Sequence, residues 1–198
     1  MLKQGYNNLW PTPVFVGEMT NKQLMVEMIE ELLLLSGDIS NGISDKNSIL
    51  NTNNLTINKF KNEIVVPVFD QYLKDVFDVS LKDYPKFKMN AWLTGQSDGY
   101  GMPIHNHAGS EVSAVFYFIS EEKSAGGQLI LVDPRVNSNR GYDLNFRKFF
   151  NNVEYAPLGG QYIIFPSFLY HWVSYYHSKL RLAMPVDIFI GPHLSLLK

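Results

Sequence analysis

The sequence predicts an α+β chain that is mainly β, with helices near the N-terminus and a strand-rich remainder. Apolar residues recur at helical spacing up to Phe77, whereas after Pro85 short β-branched and aromatic runs alternate with Gly, Asn, Ser and Pro clusters. Helices followed by about seven strands are typical of a β sandwich or barrel with helices packed outside it. We therefore expect one domain over residues 1–198, with an edge strand and helices in 1–84 and a β core in 85–191.

The N-terminal segment combines an extended stretch with one amphipathic helix. Residues 9–16 contain two prolines among β-branched and aromatic side chains, which is typical of an edge strand. Because an exposed edge can pair with another strand, a homodimer formed through this segment is one expectation. The helix that follows is capped by Thr20 or Asn21 and runs to about Leu35, with its apolar residues on one face.

A polar loop and a second helix complete the N-terminal part. Residues 36–58 are rich in Asn, Ser, Gly and Asp without a stable period, so we predict a loop. Apolar residues return at helical spacing over 59–77, although Pro67 lies inside this range. Proline lacks the N–H that a helix interior needs, so Pro67 should kink the helix or mark its start near Val66.

The β core should consist of short strands separated by turn residues. Each predicted strand is rich in Val, Ile, Tyr, Phe or Trp and is bounded by Gly, Asn, Ser or Pro. The predicted strands are 87–94, 111–119, 128–132, 153–156, 161–165, 170–175 and 181–190. The sequence contains no internal repeat and no linker that would divide this core.

Composition excludes several classes of function. The 17 basic and 19 acidic side chains give a formal charge of −2, which argues against a nucleic-acid partner and an anionic membrane surface. The absence of cysteine excludes disulfides, thiolate zinc sites and a cysteine nucleophile. The first residues lack the apolar core of a secretory signal, and no apolar run approaches the roughly 20 residues that span a bilayer. We therefore expect a soluble cytoplasmic protein.

Three of the five histidines indicate a metal site. His105 and His107 flank Asn106, and residues i and i+2 of an extended strand point to the same face, so both rings can reach one ion. His171 follows in another apolar, strand-like segment. A hairpin centred on Tyr176 would place Arg181 opposite His171, where its guanidinium can hold a carboxylate that also chelates the metal.

An ordered set of motifs resembles a known enzyme family. The motifs are His105-x-His107, Ser113-Ala114-Val115-Phe116-Tyr117, Gly126-Gly127-Gln128-Leu129, Asp133-Pro134-Arg135, Gly160, Phe165-Pro166-Ser167, His171-x-Val173 and Arg181. In this order they resemble the small iron(II)- and 2-oxoglutarate-dependent oxygenases related to the prolyl 4-hydroxylase fold. The resemblance covers roughly Asn90 to Asp187, and residues 10–13 also resemble the opening of that family.

The resemblance implies a fold, two cofactors and an activity. The fold is a double-stranded β-helix, or jelly roll, and the cofactors are Fe(II) and 2-oxoglutarate, with Arg181 binding the far carboxylate of the latter. The implied activity is that of a dioxygenase that hydroxylates a small-molecule or peptide substrate. Four side chains could line the cosubstrate pocket if they face inward: Asn90, Trp92, Tyr117 and Tyr162.

The ligand set leaves two alternatives open. In the wider superfamily two histidines and one carboxylate hold the iron, whereas His107 stands where the carboxylate is expected. Either His105, His107 and His171 form a three-histidine site, or Glu111 completes the set, as in the first motif of the cupins. The sequence also leaves two rival functions open. One is a cupin-type dioxygenase or isomerase that does not use 2-oxoglutarate, and the other is a metal-stabilised β domain without enzyme activity.

Overall fold

Two antiparallel sheets and a set of helices make up the described structure. The computed structural model describes residue 4 and residues 11–36, 48–121, 125–135 and 152–191. The helices are α1 (Lys22–Ser36), α2 (Leu55–Phe60) and α3 (Val66–Phe77). The strands are β1 (Phe15–Glu18), β2 (Lys88–Ala91), β3 (Thr94–Gln96), β4 (Met102–His105), β5 (Val112–Ile119), β6 (Leu129–Leu131), β7 (Val153–Tyr155), β8 (Gln161–Pro166), β9 (His171–Val173) and β10 (Arg181–Phe189).

The strands divide into a major and a minor sheet. In the major sheet the order is β1-β8-β5-β10-β2, and β3 also pairs with β10, whereas the minor sheet has the order β4-β9-β6-β7. Each pairing is antiparallel. The prediction of a mainly β chain with helices before the strands is therefore confirmed.

The two central strands of the major sheet are buried on both faces. On β5, Phe116 and Phe118 point to the helices, while Val115 and Tyr117 belong to a second apolar cluster shared with the minor sheet. Alternate residues of a strand face opposite sides, so a strand covered on both sides must be apolar at nearly every position. This explains why β5 and β10 appear in the sequence as continuous apolar runs.

The first helix begins where the sequence predicts. Asn21 precedes α1, and its side-chain Oδ1 accepts a hydrogen bond from the backbone N–H of Leu24 at 3.1 Å. Such a cap satisfies one of the free N–H groups of a helix N-terminus. Leu24, Met28 and Leu32 are buried in the core between α1 and the major sheet.

The second helical segment begins earlier than predicted. The loop was expected to last until Asn58, but α2 starts at Leu55, because the Asn54 side chain caps it by accepting from the N–H of Ile57 at 3.0 Å. A π-helical turn, Lys61–Val65, then leads into α3, which begins at Val66 with Pro67 in its first turn. The first residue of α3 agrees with the predicted start near Val66, but the backbone is right-handed helical at Phe60, Val65 and Val66, so the helical run is continuous. The π-helical turn directly before Pro67 is where the helix accommodates the proline.

Strand pairing differs from the expected hairpin. We expected the turn at 174–178 to pair β9 with β10, but β9 pairs with β4 and β6 in the minor sheet, while β10 lies in the major sheet. The segment predicted as one strand over 87–94 is divided into β2 and β3, and β4 was not predicted as a separate strand. The predicted hairpin between β9 and β10 is therefore wrong, because the chain crosses from the minor to the major sheet between these two strands.

The N-terminal strand lies at the edge of the major sheet. Of the predicted segment 9–16, residues 9 and 10 lie outside the described residues, and the strand itself begins later, at Phe15. β1 pairs with β8 along one side, so its edge position agrees with the sequence, while pairing between two copies stays a prediction. No helix within the described ranges is long and apolar enough to cross a membrane.

Candidate metal centre and anion pocket

The three predicted histidines converge at one end of the minor sheet. His105, at the end of β4, is the cross-strand partner of His171, at the start of β9, and their ring centroids are 4.4 Å apart. His107 lies just beyond β4 in the following turn, where its backbone N–H donates to the carbonyl of Ser167 at 3.1 Å. One nitrogen from each ring lies within 4.8 Å of the others, so this group can hold a metal ion.

A hydrogen bond to Nδ1 orients each of the three rings. The carbonyl of Pro103 lies 2.8 Å from Nδ1 of His105, and the carbonyl of Leu169 lies 2.9 Å from Nδ1 of His171. Nδ1 of His107 lies 2.6 Å from the Asp187 carboxylate. Carbonyl and carboxylate oxygens only accept, so Nδ1 carries the proton in each ring and Nε2 offers its lone pair to a metal.

Burial keeps two of these histidines neutral. It lowers the pKa of His105, against the opposing effect of the Pro103 carbonyl. It lowers the pKa of His171 to about 4, although the hydrogen bond to the Leu169 carbonyl acts in the opposite direction. A metal binds only the neutral imidazole, so the partly buried position of His105 and the buried position of His171 prepare these rings for coordination at neutral pH.

Arg181 provides a buried cation beside the histidines. Its Nη1 donates to Oε1 of Gln96, its cross-strand partner in β3, and its guanidinium carbon lies 4.9 Å from the ring centroid of Tyr117. Nε and Nη2 are buried and make no hydrogen bond within the described structure. Burial lowers the pKa of the guanidinium and raises that of the Tyr117 hydroxyl. Two free N–H donors on one planar group match the two oxygens of a carboxylate.

The histidines and Arg181 share one pocket between the sheets. The major sheet contributes Trp92, Thr94, Gln96, Val115, Tyr117, Arg181, Ala183 and Pro185, and the minor sheet with its adjoining turn contributes Met102, His105, His107, Leu129, His171 and Val173. Arg181 therefore reaches the histidines from the opposite sheet rather than from a neighbouring strand. Gly127 leaves room for it, because a Cβ at this position would lie 3.2 Å from Cδ of Arg181.

The other predicted pocket residues divide into two groups. Tyr117 and Trp92 line the pocket as expected, and the Trp92 ring lies 5.3 Å from that of His107. Tyr162 faces the helices instead, with its ring 5.5 Å from that of Phe116. Asn90 pairs with Asp187 across the major sheet but is not part of the pocket lining.

Glu111 is not placed to complete the metal site. Its carboxylate accepts a hydrogen bond from the backbone N–H of Ile190 at 2.7 Å. Among the described residues, the group that can bind a metal contains the three histidines and no carboxylate. This geometry gives no support to the alternative ligand set with Glu111, because the side chain is engaged at the end of β10.

Two residues of the site were missed in the sequence. Gln96 holds Arg181, and Asp187 holds His107. Asp187 is the only acidic residue in the apolar strand β10, and a lone carboxylate in a strand buried on both faces is a signal that could have identified it. Of the remaining histidines, His177 is exposed beside Asp98, and His193 lies outside the described residues.

A family model matches the segment that carries this site. The model is described as "Putative 2OG-Fe(II) oxygenase", and it matches residues 90–187, about half of the chain. The chain belongs to the 2OG-Fe(II) oxygenase family. Members of this family use Fe(II) and 2-oxoglutarate, and the resemblance deduced from the sequence is confirmed. Comparison with curated proteins gives no match.

Solved structures of other proteins share the fold. A prolyl hydroxylase from Trichoplax adhaerens, in complex with a hypoxia inducible factor peptide fragment, has a TM-score of 0.63 and 16% identity, covering 93% of this chain and 87% of its own. A Pseudomonas putida prolyl-4-hydroxylase has a TM-score of 0.61 and 14% identity, with coverages of 92% and 90%. HygX from Streptomyces hygroscopicus, with nickel and 2-oxoglutarate bound, has a TM-score of 0.62 and 11% identity, with coverages of 91% and 84%.

Proposed function

We propose that this protein is an Fe(II)- and 2-oxoglutarate-dependent dioxygenase that hydroxylates a small-molecule or peptide substrate. The observation that carries the proposal is the pairing, in one pocket, of three histidines with free Nε2 atoms and a buried guanidinium with two free N–H donors. The first group suits a divalent metal and the second suits a carboxylate. A 2-oxo dicarboxylate is a ligand that can engage both.

The residues of this chain would have distinct roles. His105, His107 and His171 would bind the iron through Nε2, and Arg181 would bind the distal carboxylate of 2-oxoglutarate through Nε and Nη2. Gln96 and the Tyr117 ring would hold the guanidinium in place, because one accepts from Nη1 and the other lies against its face. Bound iron, 2-oxoglutarate and O2 supply the oxidation of a carbon–hydrogen bond, with succinate and CO2 as coproducts.

The walls of the pocket would protect this chemistry from water. The lining between the histidines and Arg181 is largely apolar, with contributions from Leu129, Val173 and Ala183. An apolar wall strengthens the interaction of a guanidinium with a carboxylate, since water competes less for both groups. The two-sheet arrangement supports a double-stranded β-helix. We also propose that the helices and both sheets form one domain, because the helices and the minor sheet pack on opposite faces of the major sheet.

An anaerobic titration tests the proposal. Protein loaded with Fe(II) is titrated with 2-oxoglutarate while the weak visible charge-transfer band of the chelate is followed. We expect the band in the wild-type protein and its loss in His171→Ala, because that variant removes a ligand. Iron that binds normally without giving a band would contradict the 2-oxoglutarate assignment, and normal metal affinity with normal turnover in His107→Ala would contradict the ligand assignment.

A further inference from the structure

A buried carboxylate lies directly behind one of the three histidines. Oδ1 of Asp187 is 2.6 Å from Nδ1 of His107, and both residues are almost completely buried. The equivalent nitrogens of His105 and His171 face neutral backbone carbonyls. His107 therefore differs from the other two rings, because its partner carries a full negative charge.

A set of serine hydroxyls surrounds this contact. Ser113, the cross-strand partner of Asp187, donates to the same Oδ1 at 2.6 Å. The Ser167 hydroxyl lies 2.7 Å from that of Ser113 and 2.8 Å from that of Ser110, which also donates to the His107 carbonyl at 2.9 Å. The network thus holds His107 by its ring and by its backbone, and Asp187 is the only charged acceptor in it among the described residues.

We propose that Asp187 supplies, through the ring of His107, the negative charge that a carboxylate ligand supplies directly in a two-histidine, one-carboxylate iron site. A histidine that donates Nδ1–H to a carboxylate has a fixed tautomer and a more basic Nε2, and so is a stronger metal ligand. His107 occupies the position where the carboxylate ligand is expected. Asp187 is a positioning residue that does not touch the metal, and the inference rests on the proposed function.

The test compares Asp187→Asn with a matched surface variant. Asp98→Asn removes a carboxylate 3.3 Å from another histidine, His177, where both side chains are exposed. Co(II) serves as a stable metal probe, and its affinity is measured by titration of the metal-free proteins. We expect Asp187→Asn to weaken Co(II) binding by about tenfold or more, the usual effect of losing such a partner, and Asp98→Asn to have no effect.

A second measurement separates charge from general structural damage. With Co(II) at saturation, loss of the negative charge should leave the binding of the dianion 2-oxoglutarate as tight as in the wild type, or about twofold tighter. Damage to the pocket would weaken both ligands together. Unchanged Co(II) affinity in Asp187→Asn, or parallel weakening of both ligands, would overturn the inference. Failure of the wild type to bind Co(II) would instead overturn the proposed function, and the inference with it.

If Asp187→Asn alone does not fold, a double variant tests whether Asp187 supplies negative charge to the metal site. In His107→Asp the carboxylate stands at the ligand position itself, so Asp187 is no longer needed as a source of charge. Adding Asp187→Asn to this variant should leave Co(II) affinity equal or higher, because two neighbouring carboxylates repel each other. A further tenfold loss in the double variant would show that Asp187 acts in another way.

Discussion

Arg181 offers the most direct quantitative test of the anion pocket. Its Nε and Nη2 are buried without a partner, and each is free to make a charge-assisted hydrogen bond to a carboxylate. Such bonds contribute about 1.5–3 kcal/mol each. Taking the lower value for both gives about 3 kcal/mol, which corresponds to a loss of about 100-fold in 2-oxoglutarate affinity for Arg181→Met.

The conservative variant separates charge from geometry. Arg181→Lys keeps a cation but replaces the planar fork with a single ammonium group. Losing one of the two hydrogen bonds predicts a decrease of about tenfold. Arg135→Met is the control, because this arginine is exposed on the surface and is paired with Asp133; it should bind 2-oxoglutarate like the wild type.

The assay is an anaerobic titration of metal-loaded protein, with the metal affinity of each variant measured alongside it. Unchanged metal affinity shows that Arg181→Met keeps the three histidines in place. The reasoning is refuted if that variant binds 2-oxoglutarate within threefold of the wild-type affinity. In that case the unsatisfied guanidinium would have a role other than binding the distal carboxylate.

Three further predictions concern stability and packing. The metal-free protein should lose about 3 kcal/mol of unfolding free energy as the pH falls from 6.5 towards 4, because burial lowers the pKa of His171 to about 4 and the unfolded chain takes up the proton first. Urea titrations should show this pH dependence of stability, and the dependence should be smaller in His171→Asn. Gly127→Ala should weaken 2-oxoglutarate binding, because its Cβ would lie 3.0 Å from the Tyr176 ring and 3.2 Å from Arg181. Gly99→Ala is the control, since Gly99 has a similar positive φ and a Cβ there would meet nothing within 4 Å. Equal 2-oxoglutarate binding in the two variants would contradict the steric argument. Asn54→Ala should destabilise the protein by about 1 kcal/mol through loss of the α2 cap, seen in thermal unfolding as a decrease of about 2–4 °C, whereas Gln71→Ala on the exposed face of α3 should change little.

Local patterns predicted the elements of this fold but not the partners of its strands. The cap at Asn21, the effect of Pro67 and the strand-rich second half all follow from neighbouring residues in the chain. The hairpin between β9 and β10 did not form, because pairing depends on which faces the rest of the molecule covers. His171 pairs with His105, which is 66 positions away in the chain and could not be identified as its neighbour from local periodicity.

The same distinction explains which site residues were recognised. The histidines stood out because residue type and spacing are enough to indicate metal chemistry. As a lone carboxylate in an apolar strand Asp187 is unusual, but its role is not visible in the sequence, since that role depends on His107 lying 2.6 Å away after folding. Gln96 was missed for the same reason, because a glutamine in a strand becomes informative only when a buried arginine lies opposite it.

The charges in the pocket favour the ligands that we propose. Iron would add two positive charges to the Arg181 cation in a space walled largely by apolar side chains, while the three imidazoles add none. Asp187 provides one compensating charge on the protein, and a bound 2-oxoglutarate dianion provides two, so the complete set is neutral. A buried site that reaches neutrality only with both ligands present should bind each more tightly when the other is bound, since unpaired buried charges are costly. Because Asp187 lies behind a histidine instead of on the metal, the complete set is neutral while all three protein ligands of the metal are nitrogens.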